Sequence, residues 1–78
     1  MSRDISFKIL RVAWYLMLKI KSRPDKDAHS AGRDLYDIVF MHTTDTDLRY
    51  QMSECHSQGW DRVQSLRYLN HRLNIGFF

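Results

Sequence analysis

The chain has 78 residues, 44% of them apolar and ten of them aromatic, and a formal net charge of +3. That is enough for one small globular core over residues 1–78 and too little for two domains, and it excludes a disordered polyelectrolyte. A core of this size leaves only a few kcal/mol (~3–5) of net stability, which oligomerisation often supplements.

The charge is unevenly spread. Residues 1–26 carry seven Lys or Arg against two Asp, residues 27–61 carry seven acids against two Arg, and residues 62–78 carry three Arg and no acid. Two readings follow: the acidic middle neutralises its basic neighbours inside one fold, or the basic ends converge on one face that suits nucleic acid or an acidic protein. Cys55 is the one cysteine, so an intrachain disulfide is impossible and a reducing, cytoplasmic location is expected.

The first element is the most informative. In residues 5–20, Ile5, Ile9, Val12, Leu16 and Ile20 recur at helical spacing. Ala13 and Met17 widen that face, and Leu10, Trp14 and Leu18 add a second apolar ridge beside it. Lys8, Arg11, Tyr15 and Lys19 leave only a narrow polar strip. A helix apolar over most of its circumference has to be covered on more than one side, by the rest of the chain, by a second copy or by a partner. The run is too short for the ~20 residues of a membrane span and carries three cations inside it. The same charges argue against a secretory signal. Ser2 or Asp4 is suited to cap its start, and Pro24 sets its end near residue 22.

A second helix is expected from Lys26 to about His42, with Ala28, Ala31, Leu35, Ile38 and His42 aligned and Val39 beside them. Its small first half, Ala28, Ala31 and Gly32, invites close approach by another helix. The competing reading is a strand over residues 35–42, where Tyr, Ile, Val and Phe cluster. The run Thr43-Thr44-Asp45-Thr46-Asp47 is rich in capping side chains and separates the second element from a short third helix. Leu48, Met52 and Cys55 mark the buried side of that helix, and Gly59 suits the left-handed position at its end. A fourth helix is expected from Trp60, with Trp60, Val63, Leu66, Leu69 and Leu73 as its ridge. The fold class is therefore all-α, a three- to four-helix bundle, with an α+β fold as the alternative.

The chemistry-bearing residues do not assemble into an active site. His29, His42, His56 and His71 are too widely spaced for a zinc site, and adjacent Cys55 and His56 point apart on a helix. Asp25 with Asp27 and Asp45 with Asp47 lack the glycine and distal glutamate of a calcium loop and suit helix caps better. Neither a glycine-rich phosphate loop nor a nucleophile elbow is present. We therefore expect no catalytic residue, no metal and no cofactor.

The leading expectation is a small regulatory or inhibitory protein that binds another macromolecule. Size and the lack of catalytic apparatus suit the small stand-alone proteins of phages and mobile elements. Lys8, Arg11 and Lys19 on the first helix, with the aromatic pair Phe77 and Phe78, are the candidate partner-binding residues. A homodimer sharing the first helix fits the same pattern. The alternative is a basic DNA-binding regulator whose last two helices outline a helix-turn-helix, using Arg62, Arg67, His71 and Arg72. Ser65 falls where that motif sends an apolar residue inward, and Arg62 or Arg67 has the competing option of an acidic neighbour in the second helix.

Overall fold

The computed structural model describes residues 5–18 and 26–73. They form four helices and no strand: α1 (Ser6–Leu18), α2 (Lys26–His42), α3 (Thr46–Ser57) and α4 (Arg62–Leu73). The all-α expectation holds, and residues 35–42 are helical. Tyr36 and Val39, three residues apart, are buried together on one stripe with Gly32, a spacing that a helix allows and a strand does not. The expected caps at Ser2 and Asp4, and the end of the first helix near residue 22, lie outside the described residues.

The starts of α1, α3 and α4 and the end of α3 are marked by local hydrogen bonds. The Ile5 carbonyl accepts the Lys8 and Ile9 amides at 3.0 and 3.2 Å, which opens α1. Between α2 and α3, Asp45 is the N-cap, its Oδ1 accepting the Leu48 amide at 3.0 Å. The end of α3 is a Schellman turn: the Trp60 amide donates to Cys55 O at 3.2 Å and the Gly59 amide to His56 O at 3.0 Å. Gly59 sits at φ +78, which a side chain would disfavour. The fourth helix begins at Arg62 and not at Trp60. The Schellman turn already uses the Trp60 amide, and Asp61 takes over as cap, its Oδ1 accepting the Gln64 amide at 2.8 Å.

The core draws on all four helices: Leu10, Ala13 and Met17 from α1, Tyr36 and Val39 from α2, Leu48 and Met52 from α3, Leu66 and Leu69 from α4. Each buried leucine contributes about 1.5–3 kcal/mol of transfer free energy. Cys55 is buried beside them on the expected side of α3. Two helices approach closely at Gly32, where an added Cβ would overlap Met17 Cγ and lie 3.0 Å from the Ala13 carbonyl oxygen. The expected role of the small residues in α2 is therefore carried by Gly32, whereas Ala31 is exposed. Gly32 in the first half of α2 meets Ala13 and Met17 in the second half of α1, and Met17 also lines a pocket with His29 and Arg33, so the end of α1 packs beside the start of α2, the arrangement of an antiparallel hairpin.

The first helix buries its expected face only in part: Ala13 and Met17 of that face are buried and Ile9 and Leu16 half-buried, Leu10 of the second ridge joins them, and Ile20 lies outside the described residues. Leu10, Ala13 and Met17 face the core, with Phe7 and Trp14 packed against it, whereas Ile5 and Val12 are 68% and 49% exposed. The reason is steric. Ala13 is the smallest side chain on α1 and faces Gly32, and the backbones close where both are small.

Candidate interaction surface

The position of each side chain follows from about 100° of rotation per residue in a 3.6-residue turn. On α2, the buried stripe Gly32, Tyr36 and Val39 has Asp37 and Phe40 on one flank and Ala31, Leu35 and Ile38 on the other. The first flank reaches α3 and α4. Arg62 Nε and Nη2 donate to Asp37 Oδ1 and Oδ2, each at 2.8 Å. Arg49 Nη1 donates to the Phe40 carbonyl at 3.0 Å, with its guanidinium carbon 5.6 Å from the Phe40 ring centre. His56 meets the same ring edge-on at 4.6 Å and lies 3.1 Å from the Tyr36 hydroxyl through Nε2.

On α1, Phe7 and Trp14 flank the buried stripe on one side, and Ile5, Ile9, Val12 and Leu16 flank it on the other. In an antiparallel pair of right-handed helices, the second flank of α1 and the Leu35–Ile38 flank of α2 fall on the same side, away from α3 and α4. Together they make an outer face. Ile9 and Leu35 are half-buried along its seam, while Ile5, Val12, Ile38 and Met41 are open, the last two by 46% and 66%. An open groove of about 340 Å³ on the back of α1, opposite its buried stripe and reaching the outer face at Val12, is lined by Lys8, Arg11, Val12 and Tyr15. Lys8 and Arg11, expected to contact a partner, thus border exposed apolar surface on α1; Lys19, Phe77 and Phe78 lie outside the described residues.

The cations of α4 divide into two groups. Arg62 is tied to Asp37 in a bidentate pair whose side chains are 40% and 44% exposed, and that hydrogen bond holds its guanidinium pKa above the ordinary value. A half-exposed pair of good geometry contributes at most about 1 kcal/mol. Arg67 and His71, four residues apart, are exposed on the same face of α4, and Arg72 lies with its guanidinium carbon 5.8 Å from the Tyr68 ring centre. The tie of Arg62 to the acidic α2 is one the charge pattern allows; its pairing with Asp37, 25 positions away, leaves no local trace in the sequence.

Between α2, α3 and α4 lies a buried polar group of Tyr36, Cys55 and Ser65. Ser65 is fully buried, and its hydroxyl donates to the Asp61 carbonyl at 2.8 Å, which lets a polar side chain occupy the inward position. Burial pushes the Tyr36 phenol up to about 12, against the smaller opposing effect of the Ser65 hydroxyl. Burial raises the Cys55 thiol as well, keeping it protonated and a poor nucleophile. Among the described residues no three His, Cys, Asp or Glu side chains gather as a metal site. No described helix is long and apolar enough to cross a membrane.

Comparison of the chain with protein-family models, curated proteins and solved structures returns no match.

Proposed function

We propose that the protein is a small non-enzymatic regulatory or inhibitory protein that acts by binding another protein through the outer face of α1 and α2. The observation that carries this reading is the exposure of Ile5, Val12, Ile38 and Met41 beside Lys8, an apolar surface with a basic border and a buried seam of its own. Contiguous apolar surface with a polar rim suits a protein partner better than a solvated face. The test is affinity capture from host lysate, with and without nuclease, using the wild-type chain and Val12→Glu. A stoichiometric protein that survives nuclease and is lost with Val12→Glu supports the reading; equal recovery on both baits refutes it.

A second reading is a DNA-binding regulator that presents α4. It draws on the Schellman turn between α3 and α4 and on the shared exposure of Arg67 and His71. Binding of this kind falls steeply with salt, because each phosphate contact releases counterions. Duplex affinity that is insensitive to salt, or unchanged by Arg67→Glu, removes it.

A further inference from the structure

We infer that the outer face of α1 and α2 is self-complementary and takes a second copy of this chain, with α1 of each subunit lying against α2 of the other. The inference rests on the preceding reading of this face as a docking surface and names an occupant that would compete there with any other partner. Its basis is the distribution of charge across the face. The outer edge of α1 carries Lys8 beside Val12 and Tyr15, and the outer edge of α2 carries Asp34 beside Ile38 and Met41, all exposed. Lys8 on one edge is thus opposed by Asp34 on the other, whose charge also reaches Arg62 of α4, and between them lie Ile9, Val12, Leu35 and Ile38 with the exposed His42 at the end of α2.

A closed dimer of such a face has two simple arrangements. With the twofold axis in the interface and across the helices, α1 meets α1 and α2 meets α2. Lys8 then faces the basic edge of its equivalent, and Asp34 faces the acidic edge. With the axis along the helices, α1 meets α2 of the partner, and both edges pair basic with acidic. Like charges on facing rims are costly and opposite charges fix the register, so the second arrangement is the one the sequence selects. The result is four antiparallel helices around a new apolar layer of Ile5, Ile9, Val12, Leu35 and Ile38, the packing of an ordinary four-helix bundle. The face is two helices wide and about 20 Å long, a footprint on the order of 400 Å² at 1.5 Å per residue and 10 Å per helix. Counted on both subunits that is about 800 Å², below the ~1,200–2,000 Å² of stable complexes and in the range of weak, transient ones, so self-association is expected only at high protein concentration.

Sedimentation velocity of the full chain at low salt, from about 1 µM to about 500 µM, tests this. The expected result is a concentration-dependent shift from monomer to dimer. Val12→Glu and Ile38→Glu, both at exposed positions, remain monomeric with unchanged helical circular dichroism. Lys8→Glu alone and Asp34→Lys alone each weaken self-association about tenfold, whereas an equimolar mixture of the two forms a heterodimer, since every rim then pairs opposite charges. A monomer at all concentrations overturns the proposal, as does a dimer that survives both glutamate substitutions. Failure of the mixture to exceed the separate variants overturns the α1-to-α2 arrangement. Should the chain stay monomeric while Val12→Glu abolishes capture of a different protein, the second copy is refuted and the interaction reading stands. Dimerisation through this face with equal lysate recovery by wild type and Val12→Glu gives the reverse.

Discussion

The two flanks of α2 are built from different materials. Toward α3 and α4 its side chains are held one by one: Asp37 by Arg62, Phe40 by Arg49 and His56, Tyr36 by His56. Toward the outer face they are apolar and open, with Ile38 and Met41 exposed next to Ile5 and Val12 of α1. Directional contacts specify one geometry inside a single chain. Apolar surface with charges only at its rim specifies little by itself and becomes specific when something of matching shape and charge arrives. The inner flank therefore belongs to folding and the outer flank to association.

The contrast is broken most sharply by truncating an apolar side chain on each side. Leu66→Ala, in the four-helix core, is expected to cost about 2–5 kcal/mol, read as a fall in the urea midpoint. Val12→Ala, measured in dilute solution, is expected to change stability by less than about 0.5 kcal/mol. Equal losses would mean that the outer ridge is part of the core after all.

Alkaline pH sharpens the comparison from the inner side. Tyr36 has a folded-state pKa of about 12 against an ordinary 10, so the folded state holds its proton more tightly than the unfolded chain. The associated stability is fully present below pH 10 and is lost as pH rises through 12. Its size is up to about 2–3 kcal/mol. Thermal melts of wild type and Tyr36→Phe between pH 8 and 12 should show the substituted chain losing less over that interval. Parallel losses in the two chains would mean that Tyr36 is not the group responsible.

Gly59→Ala probes the joint between α3 and α4. The left-handed backbone at φ +78 costs an alanine about 1–2 kcal/mol, although no atom lies within 4 Å of the added methyl. A denaturant melt with no change would show that the turn relaxes freely. The smallest effect is expected for Asp37→Asn, at most about 1 kcal/mol because the pair is half-exposed, and fading as salt is added. A larger and salt-independent loss would place the pair in the folding core.

Much of the fold is legible along the chain because its signals are local. Asp45 as a cap, Gly59 in a left-handed turn, and Leu48, Met52 and Cys55 as one buried side depend on neighbours within a few positions. The buried side of α1 is legible only in part. Its two apolar ridges have the same period, and how they share the burial is decided by Gly32, which lies on another helix. The boundary at Arg62 depends on competition for the Trp60 amide, and the burial of Ser65 on a hydroxyl satisfied within its own helix. Of the candidate surface, Lys8 and Arg11 were visible as a polar strip, but the partnership of α1 with the Ile38 flank of α2 needs the packing of both helices.

Cys55 gives the molecule an internal clock for its own opening. The thiol is the one cysteine in the chain, it is buried at the meeting of α2, α3 and α4, and burial keeps it protonated. A thiol reagent in solution therefore reaches it only when those helices part. The rate of labelling, divided by the rate for an exposed thiol at the same pH, gives the fraction of time the inner seam spends apart, with no tag or substitution needed in the chain.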